Sequence, residues 1–127
     1  MSLKSPLGRV LGLGAAGGSH HWWLQRLSSL ALVPLGAWFV VALLALPDLG
    51  WASVHAWLAR PTSTVLLLLL VPTALHHSWL GVAVVVEDYV HAPGTKTVTL
   101  LFMQLLHLLL GAAAVYAVLK IAFGGTP

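Results

Sequence analysis

The sequence predicts an all-α membrane protein with three transmembrane helices and a short interfacial helix between the first and the second. Of its 127 residues, 59% are hydrophobic and 7% are charged, whereas an ordinary soluble domain carries about 25% charged residues. Three apolar stretches are long enough to cross a hydrocarbon core of about 30 Å, which takes about 20 helical residues. Because lipid offers the backbone no hydrogen-bond partners, helices are the expected form.

The three spans belong to a single membrane domain, residues 1–127, and turn-forming segments separate them. The spans cover approximately residues 27–46, 64–86 and 98–123. Between them stand "PDLG", "RPTS" and "HAPGTKT", and such proline and glycine pairs end helices and form turns. Pro34 and Pro72 lie inside the first two spans, where membrane helices tolerate proline.

The segment "DLGWASVHAWLAR", between the first two spans, has apolar residues at helical spacing. They are Trp51, Val54, Trp57 and Leu58. Tryptophan favours the membrane–water interface, so the segment predicts a short helix lying in that interface. We expect His55, in the same segment, to be wetted.

Charge indicates the orientation of the chain and excludes some functions. Residues 1–19 are interpreted as a cytoplasmic tail rather than a signal peptide, because the apolar run at 10–16 is short and interrupted by glycines. Three spans put the tail and the second loop on one side, with four basic residues against two on the other: Lys4, Arg9, Arg26 and Lys96 against Arg60 and Lys120. The positive-inside rule therefore predicts a cytoplasmic N-terminus.

A net charge of +3 is too sparse for nucleic-acid binding, and the absence of cysteine excludes disulfides and thiolate metal sites.

His77 lies near the middle of the second span, where an imidazole needs a partner. That partner is either a hydrogen-bonding group on a neighbouring helix or the metal of a haem or pigment. Gly81 and Asp88 follow four and eleven residues later, on the same helix face at about 100° per residue. The glycine would let a macrocycle or a helix approach closely. His76, turned by about 100°, is the alternative ligand.

Two acids and a tyrosine end the second span. Glu87 is interpreted as part of a solvated helix end. Asp88 and Tyr89 are either a solvated end with a belt aromatic or a quinone site, because a quinone carbonyl needs a hydrogen-bond donor and its reduction needs protons. The topology places Arg26, at the start of the first span, at the same membrane surface as Asp88 and Tyr89.

The segment "HSWLGVAVVVEDYVH" resembles the second-helix signature of the cytochrome b small subunit, the small membrane anchor of succinate dehydrogenase. That signature is a histidine, a glycine four residues on, and an Asp-Tyr pair beginning eleven residues after the histidine. The segment "GLGAAGGSHHWWLQRLSSLALVPL" is similar to alphaproteobacterial and mitochondrial members, in which a histidine and an arginine six residues later introduce the first helix, as His20 and Arg26 do here. The third span matches more loosely, and the resemblance covers nearly the whole chain.

The resemblance implies a role for each matching residue. His77 would be one axial ligand of haem b, with the other ligand from the larger cytochrome subunit. Tyr89 would donate a hydrogen bond to a ubiquinone carbonyl, with Asp88 beside it. Arg26 and His20 would meet the haem propionates or edge the quinone pocket.

The family also implies partners: a flavoprotein subunit, an iron–sulfur subunit and the larger cytochrome b anchor, in a bacterial inner membrane. This chain would then be a subunit of an enzyme, with no catalytic residue and no succinate site of its own. The native quinone stays open, as does the direction of turnover, since a fumarate-reducing relative would present much the same anchor. The alternatives are a pigment-binding protein and a structural membrane protein with no cofactor.

Three further histidines receive simpler interpretations. His107, well inside the third span, is expected to be a hydrogen-bonded structural residue. His21 and His91 lie near the membrane surface, close to a quinone or facing headgroups.

Overall fold

The computed structural model describes residues 17–124, without the side chains of residues 17–19 and 21. Within this range the chain forms four α-helices: α1 (Gly17–Leu44), α2 (Trp51–Leu58), α3 (Pro61–Tyr89) and α4 (Pro93–Phe123). The three long helices contain stretches long and apolar enough to cross a membrane: Trp22–Leu44, Pro61–Tyr89 and Pro93–Phe123. The predicted fold class, with a short helix between the first and second spans, is confirmed.

The helices extend beyond the apolar stretches from which they were predicted. α1 begins at Gly17, so residues 17–19 of the predicted tail are helical and residues 1–16 lie outside the described part of the chain. α3 and α4 each begin at a proline, a favourable first residue because its missing N–H would have no partner inside the helix. Pro34 and Pro72 lie inside helices that continue through them.

α3 is the helix on which the other two long helices pack. It contacts both α1 and α4, while α2 contacts α3 and α4. Few side chains are fully buried, and many large apolar ones on α1 and α4 are more than half exposed, among them Leu30, Val33, Leu108 and Leu109. Apolar surface of this extent needs lipid or partner helices to cover it.

A cluster of aromatic rings joins α2 to the C-terminal half of α1. The ring of Trp57 stacks on Trp38 with centroids 5.9 Å apart and lies 6.0 Å from Phe39. Trp57 is only 6% exposed, whereas Trp51 is 70% exposed. The two tryptophans of α2 therefore differ: Trp51 is open to the surroundings, and Trp57, expected in the interface, is part of the packed core.

We predict that Trp57→Ala destabilises the protein by about 3 kcal/mol, since it removes a buried ring and leaves a cavity against two other rings. Denaturation by increasing fractions of sodium dodecyl sulfate, followed by circular dichroism of the protein purified in mild detergent, measures this loss. Trp51→Ala is the matched control, and we expect it to change stability by less than about 0.5 kcal/mol. Equal losses in the two variants would contradict the assignment of Trp57 to the core.

Candidate functional site

His77 is held by a hydrogen bond between two of the long helices. Its Nδ1 lies 2.9 Å from the hydroxyl oxygen of Ser28 on α1, and Ser28 is 8% exposed. Both residues lie inside candidate spans, so this polar contact forms where lipid would supply no alternative partner. The bond satisfies one nitrogen of the mid-span imidazole.

A second set of hydrogen bonds surrounds this contact on α1. The hydroxyl of Ser28 donates to the backbone carbonyl of Gln25 at 3.0 Å. The neighbouring Ser29 donates to the same carbonyl at 2.7 Å. The two serines therefore share an acceptor, and only Ser28 also reaches His77.

The contact between Ser28 and His77 sets the levels of the other polar residues, because α1 and α3 run antiparallel. Tyr89 lies twelve residues beyond His77, about 18 Å along the axis at 1.5 Å per residue. Arg26 lies two residues before Ser28, about 3 Å from the level of His77 in the same direction. Arg26 is thus in the same half of the protein as Tyr89, but much closer in depth to His77. The sequence predicted that Arg26 lies at the start of a span, at the same membrane surface as Tyr89.

Arg26 is oriented by an aromatic ring. Its guanidinium carbon lies 4.6 Å from the ring centroid of Trp22, one turn earlier on α1. Trp22 in turn makes an edge contact with Trp23, with centroids 5.1 Å apart. Arg26 and His20 are both exposed, so each is accessible to a group arriving from outside the chain.

The face of α3 that carries His77 has open space one turn further along. A Cβ atom built on Gly81 would meet no atom within 4 Å among the described residues. Val84 and Asp88, further along the same face, are exposed. The predicted arrangement of imidazole, glycine and carboxylate is therefore a face that this chain leaves open beyond its contact with α1.

His76 points away from this face, towards α4. It lines a cavity of about 560 Å³ between α3 and α4, together with Trp79, Gln104 and His107. The two adjacent histidines thus serve different helix pairs: His77 faces α1, and His76 faces the groove beside α4.

His107 is hydrogen-bonded at both ring nitrogens. Nδ1 donates to the carbonyl of Met103 at 2.7 Å. Nε2, left as the acceptor of a neutral ring, lies 3.1 Å from the hydroxyl of Ser78 on α3. This agrees with the expectation of a structural histidine, here linking α3 to α4.

The C-terminal end of α3 is hydrogen-bonded by His91 in the loop that follows it and by Lys96 in the first turn of α4. The amine of Lys96 donates to the carbonyl of Glu87 at 3.1 Å, and Nδ1 of His91 donates to the carbonyl of Tyr89 at 3.1 Å. Asp88 is exposed, and the Tyr89 side chain is 79% exposed. The backbone of the last turn is fixed while the phenol and the carboxylate stay accessible.

The fold and these polar residues define a small multi-span membrane protein whose polar groups lie mainly along α3 and the first half of α1. The profile of the succinate dehydrogenase/fumarate reductase transmembrane subunit matches residues 1–119, and the chain belongs to this family. It is a membrane anchor subunit of the succinate dehydrogenase complex and not its catalytic flavin subunit.

Membrane anchor subunits of succinate dehydrogenase from other bacteria are similar to this chain over most of their length. The succinate dehydrogenase hydrophobic membrane anchor subunit of Rickettsia bellii is 34% identical over 105 residues, which is 82% of this chain and 83% of that protein. The corresponding subunit of Paracoccus denitrificans is 28% identical over 125 residues, 98% of this chain and 96% of the relative. No solved structure matches the chain.

Sequence reasoning missed two residues that position the site. Ser28 stands beside Gln25, Arg26 and Ser29 in a stretch that is otherwise apolar, and polar side chains within a span commonly bond across helices. That signal could have identified it as the partner of His77. Lys96 was used only as an orientation signal, although a lysine that can reach the C-terminus of a helix can bond its last carbonyls.

We predict that Lys96→Met loosens the last turn of α3, because it removes the donor to the carbonyl of Glu87 and a favourable charge at a helix C-terminus. The loss, about 0.5–1 kcal/mol, should speed amide hydrogen exchange at Val90 by roughly two- to fivefold. Lys120→Met, at the opposite end of the protein, is the control and should leave that exchange rate unchanged. An unchanged rate in Lys96→Met would show that the last turn does not depend on this bond.

Proposed function

We propose that this chain binds haem b jointly with the larger cytochrome subunit and forms part of the ubiquinone site that receives electrons from the iron–sulfur subunit. The observation that carries the proposal is the position of His77. Its imidazole is held by Ser28 inside the span, on a helix face that is open at Gly81 and ends at the exposed pair Asp88 and Tyr89.

The residues present fit a haem. A haem iron takes an axial imidazole through one ring nitrogen, while the other nitrogen bonds a nearby group; His77 has such a bond at Nδ1. The described residues contain no group of three or more His, Asp or Glu side chains that could hold a bare metal ion. A haem shared with a partner subunit needs only one ligand from this chain. Outside its own helix turn, no described atom lies within 4 Å of a Cβ built at Gly81, which supports close approach of a flat ring to the helix backbone there. When bound, the haem supplies a one-electron redox centre.

Arg26 is suited to the haem propionates rather than to the quinone. It lies within about 3 Å of the level of His77 but about 15 Å from the level of Tyr89. Guanidinium groups bind carboxylates strongly and often through two parallel hydrogen bonds. His20 lies six residues earlier on the same helix, about 6 Å from the level of Tyr89, so its side chain can approach the quinone pocket.

Tyr89 and Asp88 supply what a quinone headgroup needs at the end of α3. The phenol O–H donates a hydrogen bond to a quinone carbonyl. Reduction of the quinone to the quinol takes two electrons, from the iron–sulfur subunit, and two protons. The carboxylate of Asp88 can pass a proton from water to the bound quinone.

The proposal places the chain in a complex of four subunits in a bacterial inner membrane. The flavoprotein subunit oxidises succinate, and this chain holds no succinate. The basic residues of the N-terminal side favour a cytoplasmic N-terminus. Since α3 ends on that side, the proposed quinone site then lies on the side of the soluble subunits. The exposed apolar side chains of α1 and α4 support contacts with the larger anchor and with lipid.

We predict that His77→Ala abolishes haem binding, because it removes an axial ligand, and that His76→Ala retains the haem, because His76 faces the groove beside α4. A reduced-minus-oxidised spectrum of each purified complex measures the b-type absorption bands. Loss of the bands in His76→Ala alone would move the ligand to His76. A chlorin spectrum in the unaltered complex would instead indicate a pigment-binding protein, and no cofactor bands at all a structural one.

We predict that Tyr89→Phe lowers quinone reduction by about tenfold, the effect of losing roughly 1.4 kcal/mol of hydrogen bonding to the reacting carbonyl. Assembly and succinate oxidation by a soluble dye should persist, since the flavoprotein is untouched. Tyr116→Phe, an exposed tyrosine on α4, is the control and should keep full quinone turnover. Equal quinone turnover in the two variants would remove Tyr89 from the site.

A further inference from the structure

We infer that Ser28 is a positioning residue for His77: its hydroxyl oxygen accepts the Nδ1–H of the imidazole and so leaves Nε2 to ligate iron. The inference rests on the proposed haem-binding function and adds a residue from α1 to it. The groups involved all belong to this chain and are joined by hydrogen bonds between described residues.

The number of hydrogens on the Ser28 hydroxyl determines which group donates in its contact with His77. A serine hydroxyl has one hydrogen to donate and two lone pairs to accept with. The hydroxyl of Ser28 directs its hydrogen to the carbonyl of Gln25, 3.0 Å away. Its oxygen is therefore the acceptor in the 2.9 Å contact with His77, and the proton of that contact belongs to Nδ1.

The position of the proton on the His77 ring determines whether Nε2 has a lone pair. A neutral imidazole carries one N–H, so a proton on Nδ1 leaves a lone pair on Nε2. Among the described residues, the hydrogen bond of His77 is made by Nδ1 and not by Nε2. The reverse tautomer would put an N–H where the iron needs a lone pair. Ser28 therefore favours the tautomer that binds metal.

The apolar surroundings of Ser28 strengthen its hydrogen bond to His77. Ser28 is buried inside an apolar helix pair, where a hydrogen bond is electrostatically stronger than in water. Such partners of a ligating histidine fix the orientation of its ring and raise its basicity, and their loss typically costs 10–100-fold in metal affinity. Since a more basic imidazole stabilises ferric over ferrous iron, this bond would lower the reduction potential of a haem held by His77.

The chain offers a matched control in the adjacent residue. Ser29 has the same side chain and donates to the same carbonyl of Gln25, but its hydroxyl makes no hydrogen bond to His77 among the described residues. A difference between variants at the two positions therefore reports the bond to His77 rather than the loss of a serine from α1.

The test compares Ser28→Ala, Ser28→Thr and Ser29→Ala in the purified four-subunit complex. We expect Ser28→Ala to retain haem at least about tenfold less tightly when it is challenged with an apo-haem acceptor protein. Its haem should titrate at a more positive potential, and its ferric electron paramagnetic resonance signal should shift, because that signal reports the orientation of the axial imidazole. Ser28→Thr, which keeps the hydroxyl, and Ser29→Ala should match the unaltered complex.

The outcomes separate this inference from the proposed function. If Ser28→Ala and Ser29→Ala have the same resonance signal, potential and haem retention, the positioning role is wrong even where His77→Ala loses the haem. If His77→Ala keeps an unaltered haem spectrum, the assignment of His77 as the ligand fails, whatever the result at Ser28. Should Ser28→Ala not assemble, Ser28→Cys, similar in size but a much weaker acceptor, replaces it in the comparison with the same expected shifts.

Discussion

The hydrogen bond between Ser28 and His77 determines how the polar face of this protein is arranged. In a lipid environment neither group has water to turn to, so pairing them fixes both the level and the rotation of α3 against α1. A rotation of α3 by one residue, about 100°, would bring His76 to the position of His77. It would also carry Gly81 and Asp88 off the open face. Helix spacing aligns the imidazole, the glycine and the carboxylate, and this one contact sets the direction in which that line faces.

A second contact, in the C-terminal half of α1, joins that helix to α2. The rings of Trp38, Phe39 and Trp57 pack together at the C-terminal half of α1, where the short helix α2 returns the chain towards α3. Apolar helices gain little from burying hydrocarbon in a solvent that is itself hydrocarbon, so shape and polar pairs decide how they associate. Ring packing joins the C-terminal half of α1 to α2, a hydrogen bond nearer the N-terminus of α1 joins it to α3, and α4 is joined to α3 by the bond between Ser78 and His107.

Hydropathy and turn residues were enough to predict three spans, a short helix and the line from His77 to Asp88, because these depend on spacing along one helix. Contacts between helices were harder to predict. The depth of Arg26 relative to His77 depends on the contact of the nearby Ser28 with His77, which joins residues distant in sequence. The burial of Trp57 depends on Trp38 and Phe39, which are distant in sequence, whereas composition alone favoured the interface for any tryptophan. Spacing along α3 could not show that the adjacent histidines meet different helices, His77 bonding Ser28 of α1 and His76 lining the groove beside α4.

The spacing of the proposed sites follows from a single continuous helix. His77 and Tyr89 both belong to α3, so about 18 Å of regular helix separates them along its axis. No loop lies between them, and the last turn is hydrogen-bonded by His91 in the loop and by Lys96 in the first turn of α4. An iron ligand and a quinone donor carried on one helix keep a constant separation, whatever the movements of the loops. Arg26 and Ser28 lie at the level of the first of these groups, so α1 serves the haem end of the proposed pair, while the loop after α3 serves the quinone end.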